Sequence, residues 1–110
     1  MNYVVIPARW SSSRLPGKPL KKIGSKPMIQ WVYESCRKSK ADFIFIATDS
    51  EKIRDQVLEF NGQVIMTSVD HKTGTDRIHE AITKINCHEE DLIINVQVMN
   101  HLYLMLILIL

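Results

Sequence analysis

This 110-residue chain predicts a three-layer α/β fold built on a parallel sheet, and three observations carry that expectation. Four short apolar runs, Tyr3–Ile6, Phe43–Ala47, Val64–Met66 and Leu92–Val96, alternate with segments of helical period. The runs are continuously apolar and rich in β-branched residues, as in strands covered on both faces. No internal repeat or low-complexity linker interrupts them, and the length suits one domain at most. Strand–helix alternation of this kind implies right-handed crossovers and hence parallel strands between two helical layers.

The first run ends at Pro7. Between the first two runs, Lys26–Lys38 places Met28, Val32 and Cys36 at fourfold spacing, flanked by Ile29 and Trp31. Ser25 is the expected N-cap of this helix and Pro27 suits its first turn. A second helix is expected from about Ser50 to Phe60, with Ile53, Val57 and Phe60 as its buried stripe. Asp49 or Ser50 would cap it, and Asn61-Gly62 would stop it. A third helix should begin after Thr75 and turn Ile78, Ala81, Ile82 and Ile85 inward, leaving His79 and Glu80 on its exposed side.

A net charge of +2 with 24% charged residues gives no nucleic-acid face, which needs far denser Lys and Arg. The basic residues gather locally instead, over Arg9–Lys26 and over Arg37–Lys40. The second group suits the C-terminal turn of a helix, where cations offset the dipole. Cys36 and Cys87 make neither a disulfide framework nor a metal spacing, and fit a reducing cytoplasm. The chain enters its first strand directly, so no export signal is expected. Leu102–Leu110 is apolar apart from the Tyr103 hydroxyl, but falls well short of the roughly 20 residues a membrane-spanning helix needs.

In open parallel sheets, ligands bind beyond the carboxyl ends of the strands. Those ends carry Pro7-Ala8-Arg9, Thr48-Asp49, Thr67 onward, and Asn95 to Gln97. The first is the most informative. In VVIPARWSSSRLPGKPL, a strand delivers a loop in which Arg9, Arg14 and Lys18 lie among Ser11, Ser12, Ser13 and Gly17. Fixed donors and cations suit a polyphosphate, because they offset charge that would repel an incoming nucleophile. A P-loop it is not, since Gly17-Lys18 is followed by Pro19. On the residues alone, phosphate binding and a merely solvated basic loop both stand. Asp49 reads either as a site residue or, the favoured reading, as a helix cap. A solvated His71 is the ordinary expectation for a lone loop histidine. Trp10 either covers the mouth of the site or lies against a neighbouring loop.

Taken together, IPARWSSSRLPGKPL, Ile46-Ala47-Thr48-Asp49, Asp70-His71-Lys72-Thr73-Gly74-Thr75-Asp76-Arg77 and Asn95-Val96-Gln97 resemble the sugar nucleotidyltransferases. Within them the similarity is to the 3-deoxy-D-manno-octulosonate (Kdo) cytidylyltransferases, and it runs nearly unbroken over Asn2–Gln97. The related CMP-sialate synthetases share the early Leu-Pro-Gly-Lys element. The resemblance implies a Rossmann-like sheet of the nucleotide-diphospho-sugar transferase type. It also implies attack of the Kdo anomeric hydroxyl on the α-phosphate of CTP, giving CMP-Kdo and pyrophosphate for lipopolysaccharide. It assigns Arg14 and Lys18 to the triphosphate as catalytic residues. Pro7, Ala8, Arg9, Ser13, Gly74, Thr75, Arg77 and Gln97 become substrate-binding residues. CTP and Kdo are the implied partners, with no nucleic acid and no membrane, in a cytoplasmic homodimer that uses Mg²⁺.

After Gln97 the resemblance breaks. The family continues Gly-Asp-Glu-Pro, whose Asp binds the metal, whereas this chain reads Val98-Met99-Asn100-His101-Leu102-Tyr103. Loss of one base just after codon 97 converts the first pattern into the second. The expectation is therefore a nucleotide-binding part over 1–97 and an aberrant, frameshifted tail over 98–110, with a native apolar strand or helix as the alternative. Such a truncated chain would lack its Mg²⁺ ligands, leave a sheet edge uncovered, aggregate, and be inactive. The remaining alternatives are a transferase for another sugar acid and a non-catalytic nucleotide-binding remnant.

Overall fold

The computed structural model describes residues 1–10, 17–68, 74–86, 92–98 and 104–109. Strand β1 (Asn2–Ala8) leads through a 3₁₀ turn (Lys18–Leu20) to a small hairpin, β2 (Lys22–Ile23) and β3 (Lys26–Pro27). Helix α1 (Met28–Arg37), β4 (Phe43–Thr48), α2 (Glu51–Glu59), β5 (Val64–Met66), α3 (Gly74–Ile85), β6 (Leu92–Val98) and β7 (Leu104–Ile109) follow. The main sheet has the order β5-β4-β1-β6-β7.

The pairs β1–β4, β1–β6 and β4–β5 are parallel, as the apolar runs imply. One edge adds a strand of opposite direction. β7 runs antiparallel to β6, with Val98 opposite Leu104 and Ile93 opposite Ile109. The apolar tail therefore takes up the free backbone groups of β6, and the uncovered edge expected there belongs to β7 instead.

The two faces of the sheet carry different layers. On one, α1 and α2 bury Ile29, Val32, Tyr33, Cys36, Ile53 and Val57 against Val4, Ile6, Ala8, Ile44 and Ile46. On the other, α3 buries Ile78 and Ala81 against Val5, Ala47 and Ile93. Val4 and Ile6 face one layer and Val5 the other, the period-2 geometry of a strand covered on both sides. Each fully buried isoleucine contributes about 1.5–3 kcal/mol of transfer free energy. Tyr33 adds a polar tie: its hydroxyl accepts from the Gln63 amide at 3.2 Å and donates to the Ile44 carbonyl at 3.5 Å, joining α1 to β4 and to the entry of β5.

Helix boundaries follow local chemistry. The Ser50 hydroxyl caps α2 by accepting from the Ile53 amide, and Asn61, at φ 61°, ends it. The expected cap of α1 is different. Ser25 lies in the β2–β3 turn, where Gly24 takes φ 66°, and the N-cap position falls to Pro27, with no side-chain cap. The Met28 amide donates to the Lys21 carbonyl at 2.9 Å, so the hairpin provides what a serine side chain would have provided.

Candidate active site

The register brings the expected polar residues to one edge. Ala8 lies opposite Thr48, and Thr48 opposite Met66, so Arg9, Asp49 and Thr67 follow the ends of three adjacent strands. The Thr67 amide donates to the Thr48 carbonyl at 2.8 Å, extending the β4–β5 pairing by one residue. Pro7 is half-buried, Ala8 buried and Arg9 exposed. Gly74 and Thr75 open α3 at the same edge, and Gln97 lies one residue before the end of β6.

Beyond β1 the chain closes on itself. The Gly17 amide donates to the Trp10 carbonyl at 2.6 Å, which pinches the neck of the cationic loop. Gly17 sits at φ 75°, and a Cβ there would lie 2.9 Å from the Trp10 indole. Trp10 also rests on the α1–α2 core and carries the Lys52 ammonium 4.7 Å above its ring. The indole thus packs on the helical core and beside Gly17. Ser11, Ser12, Ser13 and Arg14 fall outside the described residues, as do Asp70, His71, Lys72, Thr73 and Cys87. Lys18, Gly74, Thr75 and Gln97 are described by their backbone.

The structure corrects one reading and gives Arg77 a definite set of partners. Asp49 is not the cap of α2, since Ser50 does that work; its carboxylate pairs instead with the Arg77 guanidinium, Nη2 to Oδ2 3.1 Å. Arg77, expected to contact substrate, is fully buried. Its Nη1 donates to the Thr67 hydroxyl and, at 3.3 Å, to the Ser68 carbonyl. Arg77 thus ties the start of α3 to the ends of β4 and β5 from inside the protein. Its Nε has no hydrogen-bond partner among the described residues. The spacing held a signal for this: Arg77 is four residues before Ala81 and adjoins Ile78, so it falls within the apolar stripe.

Glu80 and Lys84 reinforce the same corner. Glu80 accepts from the Ser68 amide at 3.0 Å and pairs with Lys84, whose ammonium donates to the Met66 carbonyl. His79 is exposed, as expected from the helical period. Chemically, the edge offers Arg9, a loop whose ends are joined by the Gly17–Trp10 hydrogen bond, and the opening of α3. Among the described residues, no three His, Cys, Asp or Glu side chains gather to hold a metal ion, and the Asp49 carboxylate is already engaged. No described helix is long and apolar enough to cross a membrane.

Comparison with known proteins agrees with this geometry. Residues 3–102 match the family described as "Cytidylyltransferase". A 3-deoxy-manno-octulosonate cytidylyltransferase of Saccharophagus degradans is 52% identical over 98 residues, 88% of this chain and 38% of that protein. One from Francisella tularensis is 55% identical over 95 residues, 86% of this chain and again 38% of the relative. A CMP:2-keto-3-deoxy-manno-octonic acid synthetase solved with CTP superposes with a TM-score of 0.81 at 46% identity, covering 87% of this chain and 39% of that one. A cytidylyltransferase from Leptospira borgpetersenii, at 23% identity and TM-score 0.72 over 87% of this chain and 40% of its own, shares the fold. The chain thus spans about 38% of the length of the curated relatives it matches. It belongs to the cytidylyltransferase family.

Proposed function

We propose that this chain is the nucleotide-binding part of an enzyme that transfers CMP from CTP to Kdo. The observation that carries the reading is the likeness to the CTP-complexed synthetase, 46% identical at a TM-score of 0.81. In the reaction, the anomeric hydroxyl of Kdo forms a bond to the α-phosphorus. The bond from that phosphorus to the bridging oxygen breaks, and pyrophosphate leaves with the electron pair. Phosphoryl transfer of this kind rests on positioning and charge stabilisation.

The chain's own residues divide that work. Arg14 and Lys18 meet the triphosphate and stabilise charge on the leaving group. Pro7, Ala8, Arg9 and Ser13 line the nucleotide, Gly74 and Thr75 approach cytosine and ribose, and Gln97 stands between nucleotide and sugar acid. The Mg²⁺ that the resemblance implies would neutralise phosphate oxygens, and the Gly-Asp-Glu-Pro segment that would hold it is replaced here by Val98-Met99-Asn100-His101. We therefore assign this chain nucleotide binding without turnover. The assignment goes with a cytoplasmic place in lipopolysaccharide synthesis and a homodimeric parent enzyme, with 98–110 read out of frame.

Calorimetric titration of the 110-residue chain with CTP tests the reading. Binding that Lys18→Ala abolishes supports it, and no binding contradicts it. Formation of CMP-Kdo from CTP and Kdo by the purified chain with Mg²⁺ would contradict the assignment of binding without turnover.

A further inference from the structure

We infer that Arg77 is a positioning residue that acts through Asp49 and Thr67 to hold the opening of α3 in place as the base-side wall of the nucleotide site. The inference rests on the CTP reading for its ligand, and on its own geometry for the clamp. An arginine with no exposure is an expensive thing to place between a helix and two strand ends. The apolar residues Ile78 and Ala81 already hold α3 to the sheet, so burial alone does not call for a charge there. What the guanidinium adds is geometry. Its planar fork reaches the Asp49 carboxylate at 3.1 Å with one nitrogen, and the Thr67 hydroxyl and Ser68 carbonyl with the other. The acceptors belong to the ends of two different strands, so the first turn of α3 cannot slide or rotate without breaking at least one of these bonds.

The Glu80–Ser68 hydrogen bond and the contact from Lys84 to Met66 secure the same stretch from the next turns. Residues 74 and 75 lie three and two positions before Arg77, within the turn that the fork fixes. Lysine keeps the charge but offers a single rotatable ammonium in place of the fork. It therefore preserves the ion pair and loses the simultaneous grip on β4 and β5.

The test compares two probes on the intact 110-residue chain: CTP, which needs both the phosphate and the base sides of the site, and inorganic tripolyphosphate, which needs only the first. Arg77→Lys should weaken CTP binding at least tenfold and leave tripolyphosphate within about twofold, a split that a loss of folded protein would not produce. Lys18→Ala should weaken both. Thr67→Val, which removes one acceptor without changing volume, should show the same split more mildly, and Thr67→Ser should restore wild-type affinity. This second pair decides the matter if Arg77→Lys does not fold. Equal losses for the two probes, or no loss for either, would overturn the inference. If wild type fails to bind CTP, the proposed function falls, and amide hydrogen exchange judges the clamp: faster exchange confined to the first turns of α3 in Thr67→Val supports it, and unchanged exchange overturns it.

Discussion

The two faces of the sheet use opposite means. The α1–α2 face is closed by aliphatic side chains, with Ile6, Ile29, Ile46, Ile53 and Val57 fully buried and, among the described residues, no ion pair within that cluster. The α3 face has a smaller apolar set and places a buried guanidinium at its carboxyl edge, paired with a carboxylate that is 14% exposed. Apolar packing is the more economical route to stability, because a buried ion pair must first overcome its own desolvation. The first face is scaffold. The second gives up some stability to fix the direction of a few backbone groups, as expected where a ligand is to be gripped.

The contrast can be broken by mutation. The largest effect belongs to the scaffold: Ile46→Ala should lower stability by about 2–5 kcal/mol, read as a fall in urea midpoint at unchanged slope. On the other face, Arg77→Met alone leaves a largely buried carboxylate without its partner and should lose about 3 kcal/mol. The double variant Asp49→Leu/Arg77→Met should recover most of that loss while CTP affinity stays low. Recovery of both together would show that the pair serves stability alone.

Gly17 lies between the two regions, since the neck it forms rests on the scaffold through Trp10. Gly17→Ala must hold a Cβ at positive φ against the indole, which should lower stability by about 1–3 kcal/mol and weaken CTP and tripolyphosphate alike. Smallest is a pH effect. Burial raises the Cys36 thiol from 9.0 to about 11. Its neutral form is the one the fold favours, so the associated stability is complete below pH 9 and is lost as pH rises through about 11. Thermal melts across that range should show a decline that Cys36→Ala removes, and the native thiol should react slowly with iodoacetamide at pH 8.

The scaffold was legible in the sequence because its signals are local. Continuous β-branched runs give the strands, the Ser50 hydroxyl and Asn61 mark the ends of α2, and fourfold apolar spacing gives α1. The clamp was less legible because its partners, Asp49, Thr67 and Arg77, are brought together by strand order, which no local pattern encodes. Asp49 beside Ser50 offers two plausible caps, and only the folded geometry separates them. The β2–β3 hairpin escaped for a similar reason: Gly24-Ser25 before Pro27 reads equally well as a cap and as a two-residue turn. At β7, an apolar tail with no polar alternation left its pairing partner and direction open.

The central claim is that the carboxyl edge, from the neck of the cationic loop to the opening of α3, grips CTP. An amide chemical-shift titration of the isotopically labelled chain with CTP tests it most directly. The account predicts shifts at Arg9, Gly17, Thr48 to Ser50 and Gly74 to Ile78, with Val32, Tyr33 and Cys36 unmoved. Shifts centred on α1 or on the amino ends of the strands, with Gly17 and Arg77 silent, would contradict it.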